Sequence, residues 1–213
     1  MTEHRRPPGS IRPGFAEADW DARYAQKELV WTAEPNRRFA AEVDGLAPGR
    51  ALDVACGEGR NAVWLAERGW RVTAVDLSSV GLAKARDLAA ARGVELDLVH
   101  ADVLAWDPEP RAFDLVAVIY LQLPHDELAA ALGRASDALA PGGTLLVLGH
   151  DTTNLTHGHG GPRDASVLFT PEDVVASLAG LDVERAEKVR RTVALDGGEA
   201  VAIDALVRAR RPG

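Results

Sequence analysis

The stretch Asp53-Val54-Ala55-Cys56-Gly57-Glu58-Gly59-Arg60-Asn61 decides the fold. It follows a short apolar run at 51–55 and opens a segment of helical period. Gly57 and Gly59 let the backbone turn tightly and come close to a ligand, which a Cβ would prevent. The helix behind them offers free N–H groups to an anionic group. A lone G-x-G is weak evidence, and Ala62 stands where a dinucleotide fingerprint has its third small residue. Asp53 separates the readings: an acid just inside the strand end repels a pyrophosphate and attracts an ammonium.

Working outward, short runs rich in Val, Leu and Ala alternate with longer helical segments. The pattern predicts helices at 17–28, 35–44 (Pro35 in its first turn), 59–68, 79–92, 125–139 and 171–179. It predicts strands at 51–55, 71–76, 95–101, 113–120, 144–149, 183–193 and 199–209. Asp196-Gly197-Gly198-Glu199 reads as a tight hairpin turn joining the last two. Serial βα units with doubly apolar strands imply a parallel sheet covered by helices. The expectation is an α/β, Rossmann-like, seven-stranded, mostly parallel sheet with helices on both faces and a C-terminal antiparallel hairpin. A dehydrogenase half would end on a parallel strand. The ligand crevice is expected where strand order reverses, at the ends of strands one and four. Residues 1–14, rich in Arg, Pro and Gly, read as a flexible tail before a single domain at 15–213.

Asp76, in Val75-Asp76-Leu77-Ser78, closes the second strand, where an acid can accept ribose hydroxyls or cap the next helix, as Ser78 also could. Asp102-Val103 follows the third strand. Asp102 can accept a base amino proton or serve as a turn residue, and the Val103 N–H faces a ring nitrogen. Cys56 has no base among its sequence neighbours, so it reads as a small residue of the loop.

The run DVACGEGRNAVWLAERGWRVTAVDLSS resembles the class I S-adenosyl-L-methionine (SAM)-dependent methyltransferases. It is especially similar to the tellurite-resistance/thiopurine methyltransferase branch, which shares the glycine loop followed by Arg-Asn. AD at 101–102, FDLV at 113–116 and APGGTLLV at 140–147 match later motifs, so the resemblance spans about 20–209. It implies SAM as cofactor. Asp53 and Ala55, Cys56, Gly57 and Gly59, with Asn61, would cradle its methionine end. Asp76, Leu77 and Ser78 would hold the ribose, and Asp102 and Val103 the adenine. Ile119 and Tyr120 would line the reaction centre. Tyr24 and Trp31, with Trp20, would close over the cofactor or else pack on the sheet. Ala55-Cys56 departs from the usual Gly-Cys or Gly-Thr.

In-line methyl transfer needs positioning and desolvation, and a base only when the acceptor must lose a proton. Tyr120 and His150 are the candidate catalytic residues, and Gln122, His125 and Asp151 the candidate acceptor-binding residues. His125 also reads as an exposed first-turn residue. The loop 150–163, HDTTNLTHGHGGPR, reads as a lid over the methyl group; a metal site or a plain connector are its other readings. Its His and Asp spacing fits no metal motif, so no metal is assigned.

Composition narrows the partners. Hydrophobic residues at 46% supply a sizeable core, and one cysteine excludes an internal disulfide. A net charge of −8 without a basic stripe argues for a small-molecule acceptor and against nucleic acid. No run is apolar for long enough to span a bilayer, and the N-terminus lacks a secretory pattern, so a cytoplasmic monomer or homodimer is expected. A catalytically silent SAM-binding regulator is the alternative function. An NAD-type oxidoreductase is disfavoured by Asp53 and the terminal hairpin.

Overall fold

A computed structural model describes residues 16–195 and 197–213. The tail assigned to 1–14, and Asp196 of the hairpin turn, lie outside the described residues. The elements are α1 (Glu17–Tyr24), α2 (Arg37–Val43), β1 (Arg50–Val54), α3 (Arg60–Ala66), β2 (Arg71–Asp76), α4 (Ser79–Arg92), β3 (Asp97–His100), β4 (Phe113–Ile119), α5 (His125–Ala138), β5 (Leu139–His150), α6 (Asn154–His157), a 3-10 turn (Ala165–Val167), α7 (Pro171–Ala176), β6 (Asp182–Leu195) and β7 (Gly198–Arg210).

The strands form one seven-stranded sheet in the order β3-β2-β1-β4-β5-β7-β6. The first five pair in parallel, and β7 runs antiparallel to both β5 and β6. This is the expected Rossmann-like sheet with its reversed terminal strand. Strand order turns back between β1 and β4, and open sheets of this kind take their ligands at the carboxyl ends there.

Alternation along the strands builds two cores. Leu52, Val54, Val116, Val118, Leu145 and Val147 face α5 and α7 through Leu128, Leu132 and Val174. Ala51, Leu115, Ala117, Leu146 and Leu148 face α2 and α3 through Phe39, Val43, Ala62 and Leu65. Helices therefore cover both faces.

Three boundaries differ from the sequence reading. First, α1 stops at Tyr24 because the residues after it are tied to other elements: Lys84 Nζ donates to the carbonyls of Tyr24 and Lys27. Second, α2 begins after Asn36, whose side chain accepts the N–H groups of Arg38 and Phe39, which leaves Pro35 outside. Third, β5 starts at Leu139 and takes in Pro141-Gly142-Gly143, with Gly142 in the left-handed region and its N–H donating to the Arg211 carbonyl.

The loop 150–163 is fastened down. Asn154 Oδ1 accepts the Ile203 N–H at 2.8 Å, its Nδ2 donates to the Gly160 carbonyl, and the His159 N–H donates to the Val201 carbonyl. Beyond it, Leu168 and Phe169 are fully buried. These bonds hold α6 and the residues after it against β7.

Phe169 also explains Gly149 on β5. A Cβ at 149 would lie 2.3 Å from Phe169 Cζ. The ring cannot leave the core, so Gly149→Ala is expected to lower unfolding free energy by about 1–3 kcal/mol through overpacking. Urea denaturation checks this, and an unchanged midpoint would contradict the packing described.

Candidate active site

The glycine loop leaves β1 with Ala55 at φ 57, Gly57 at φ 57 and Gly59 at φ 76. Gly59 is required by close packing, since a Cβ there would lie 2.6 Å from that of Ala85 on α4. The loop is held by Asp76 at the end of β2. One carboxylate oxygen accepts the Gly57 N–H at 2.7 Å and the other the Ser78 N–H at 2.8 Å. Ser78, not Asp76, caps α4 by accepting the Gly81 N–H. Burial raises the Asp76 carboxyl above its ordinary value, more than these two bonds lower it.

Asp53 is 1% exposed, and its Oδ2 has no hydrogen-bond partner. Burial first, and the Asp76 charge second, push its carboxyl up to about 7. A buried acid with an open oxygen beside a glycine loop is a ready partner for a cation. Burial likewise pushes the Cys56 thiol up, which suits a packed residue and not a nucleophile.

Residues from α1 to Trp31 strap across this loop. Asp21 accepts from the hydroxyls of Ser78 and Ser79 and from the Val80 N–H. Glu58, in the middle of the glycine loop, accepts the N–H groups of Val30 and Trp31 at 2.9 Å each and pairs with Lys84 at 3.1 Å. Tyr24 is buried against the glycines. A Cβ on Gly57 would lie 2.6 Å from its hydroxyl, and one on Gly81 would lie 3.1 Å from its ring. Trp31 is 41% exposed between the guanidinium groups of Arg23 and Arg60. Trp20 stacks on Tyr24.

Several expected residues are engaged elsewhere. Asn61 is buried and accepts the Asn36 N–H, which anchors the start of α2. Asp102 is a turn residue whose Oδ1 accepts the Leu104 N–H, while Val103 packs on the core. The Leu77 carbonyl lies 2.9 Å from His100 Nε2. Gln122 Nε2 donates to the Val167 carbonyl, and His125 Nε2 lies 2.9 Å from the Leu168 carbonyl, so both knit the 3-10 turn to the end of β4. Asp151 is fully buried, paired with Lys188 at 3.1 Å and capped by Thr153. Gln122 and His125 thus engage these polar atoms within the fold, whereas Asp151 Oδ2 is buried without a hydrogen-bond partner.

Past the end of β4 a second polar centre forms. Tyr120 sits at φ 60, and its hydroxyl donates to Asp204 Oδ2 at 2.8 Å. Arg191 Nε donates to the same oxygen at 3.0 Å, and His150 Nδ1 lies 3.1 Å from Asp204 Oδ1. The Tyr120 and His150 rings are 5.0 Å apart, and Ile119 is buried beside them. Burial would raise the Asp204 carboxyl, but His150, Arg191 and Tyr120 together hold it below its usual value. Burial pushes the Tyr120 phenol well up. The sequence reading found Tyr120 and His150 but missed Asp204 and Arg191. The signal for Asp204 is an acid inside the apolar run at 201–207. Among the described residues, no cluster of three or more metal-ligating side chains occurs.

With this geometry in view, residues 51–143 match the family described as a methyltransferase domain. The demethylmenaquinone methyltransferase of Thermus thermophilus is 41% identical over 104 residues, which is 48% of this chain and 47% of that protein. The chain spans about half the length of the curated relatives it matches. Among solved structures, the N-methyltransferase NodS of Bradyrhizobium japonicum, in complex with S-adenosyl-L-homocysteine, superimposes with a TM-score of 0.70 at 18% identity, covering 92% of this chain and 98% of that one. TehB of Haemophilus influenzae does so with a TM-score of 0.69 at 16% identity, covering 92% and 66%. The fold is that of the Rossmann-like methyltransferases.

Asp53 gives a stability test. Its folded value of about 7 lies above the ordinary 3.8. The proton it holds therefore stabilises the ligand-free fold fully below the unfolded value, and that contribution is lost as pH rises through the folded one. Asp53→Asn cannot titrate, so its stability relative to wild type is expected to rise with pH across this window. Urea titrations at several pH values check it, and a pH-independent difference would contradict the raised carboxyl.

Proposed function

We propose that this chain is a SAM-dependent methyltransferase that moves a methyl group to a small-molecule acceptor. The open Oδ2 of buried Asp53, beside a glycine loop at a strand-order reversal, carries this reading. The residues fit the cofactor. Asp53 offers its unused oxygen to the ammonium, and Gly57 and Gly59 let the loop turn through the left-handed region beside it. Two of the roughly four acceptor positions on the Asp76 carboxylate are taken by Gly57 and Ser78, so the others remain for ribose hydroxyls. Tyr24 covers Gly57 from the α1 side. Arg60, which burial pushes below its ordinary value against the support of Tyr120 and Asp53, gains from an anion and suits the cofactor's carboxylate.

When bound, SAM supplies an electrophilic methyl group on a sulfonium. The chain's own part is to bind, orient and exclude water. Tyr120 and His150 close the far side, over the ends of β4 and β5. The relationship to the tellurite-resistance/thiopurine branch rests on the Arg60-Asn61 pair after the glycine loop and on the shared fold of TehB.

The partner reading stays with small molecules. The net charge is −8, and no helix among the described residues is long and apolar enough to cross a membrane. The acidic balance favours an acceptor other than nucleic acid. A gel shift with duplex DNA and with RNA at physiological salt tests the last point, since salt-sensitive binding at low micromolar protein would overturn it.

Calorimetry tests the cofactor assignment. SAM is expected to bind wild type, and Asp76→Ala is expected to lose about 1.5–3 kcal/mol of binding, the worth of charged hydrogen bonds to ribose. Unchanged affinity in that variant would overturn the site. Tritium transfer from labelled SAM to small acceptors then reads the activity itself.

A further inference from the structure

Asp204 lies in β7, a strand with neighbours on both sides, and is 1% exposed. A carboxylate there is costly unless donors surround it. Register supplies them. His150 and Asp204 stand directly opposite each other in the β5–β7 ladder, so their side chains share a face. Arg191 on β6 stands opposite Ala202, one diagonal step from Asp204. Tyr120 reaches the same carboxylate through a left-handed backbone that a bulky residue adopts at a cost of about 1–3 kcal/mol. Strain of this kind persists where the surroundings enforce it, and here it aims the phenol at Asp204.

The arrangement selects the state of the imidazole. Arg191 offsets the Asp204 charge, so the centre is balanced when His150 is neutral. His150 Nδ1 and Asp204 Oδ1 are both buried and 3.1 Å apart, and each lacks a hydrogen-bond partner of good geometry. A proton on Nδ1 turned toward Oδ1 would satisfy both, which leaves the lone pair on Nε2. Gly161, at φ 78, packs closely on the imidazole: a Cβ at 161 would lie 2.7 Å from Cδ2 and 2.9 Å from Nε2.

We propose that Asp204 is a positioning residue that fixes His150 as the base for an acceptor bearing an acidic hydroxyl, of the phenol or enol type. The inference rests on the methyltransferase reading above. A thiolate has no proton to lose, and a neutral amine attacks before losing its own, so neither needs a base set in advance. A hydroxyl sheds its proton in step with attack. The acceptor oxygen forms the bond to the methyl carbon, the carbon–sulfur electron pair stays on sulfur, and the acceptor proton passes to His150 Nε2. Asp204 then faces an imidazolium, and the proton leaves to water with the product. The groups facing His150 are Asp204 from β7, Tyr120 past β4, Arg191 from β6 and the uncharged Gly161. The neighbouring Asp151 is taken by Lys188.

The test uses the full chain with histidine labelled by nitrogen-15, and the His150 resonances are assigned with His150→Gln. Wild type at mildly alkaline pH is expected to show a protonated Nδ1 and a bare Nε2, with the ring reverting to the Nε2–H form in Asp204→Asn. Methyl transfer from tritiated SAM is read with catechol as the hydroxyl probe and thiophenol as the thiol probe. At neutral pH, transfer to catechol is expected to fall by about 100-fold in His150→Gln and Asp204→Asn, with transfer to thiophenol kept and SAM affinity unchanged by calorimetry. An Nε2–H ring in wild type, or catechol transfer as fast in His150→Gln as in wild type, overturns the proposal. Loss of SAM binding by wild type itself would instead strike the methyltransferase reading.

Discussion

The carboxylate of Asp76 joins the two loops on which the site depends. By accepting the N–H groups of Gly57 and Ser78, it holds the turn after β1 against the start of α4. Each bond involves a charged acceptor in a buried setting, where such bonds are stronger than neutral ones. The consequences spread from there. Gly59 packs against Ala85, Asp53 stays enclosed beneath the loop, and Asp21 reaches Ser78, Ser79 and Val80 to bring α1 over the crevice. Without that carboxylate the glycine loop would keep its freedom and lose its shape.

Charge is divided between two centres. Under the glycine loop, Asp53 and Asp76 are close enough to raise one another's cost of ionisation, and no basic side chain hydrogen-bonds to the open oxygen of Asp53. The Arg60 charge offsets this only in part, since the Asp53 carboxyl still lies above its ordinary value. Past the ends of β4 and β5, Asp204 is surrounded by Arg191, Tyr120 and His150, and that centre is balanced. The first therefore suits a cationic ligand, and the second suits handling a proton. The proposed reaction needs both, and one sheet carries them: Asp53 is on β1, and the second centre spans the ends of β4 and β5 and the inserted β7.

The βα alternation was legible because the central strands β1, β4 and β5 alternate between two cores and α5 carries an apolar face against one of them. The acids Asp53 and Asp76 were legible because they end strands beside glycines, a relation visible within a few residues. Contacts set by tertiary register were not. Asp204 meets His150 only because β7 inserts between β5 and β6, and nothing local to either residue announces that pairing. Similarly, Glu58 and Lys84 cut α1 short through contacts from distant parts of the chain, while helical periodicity continued to 28. Asn61 and Asp102 matched motif positions, yet their side chains serve the backbone of their surroundings. The glycines of the loop at 150–163 suggested mobility, but Asn154 and His159 bind it to β7.

The central claim is that the open oxygen of Asp53 and the loop it underlies form the cofactor site. A crystal structure with S-adenosylhomocysteine tests it most directly. The account predicts the ligand's ammonium on Asp53, its ribose hydroxyls on Asp76 and its sulfur facing Tyr120. A ligand bound elsewhere, or bound here with Asp53 and Asp76 untouched, would contradict it.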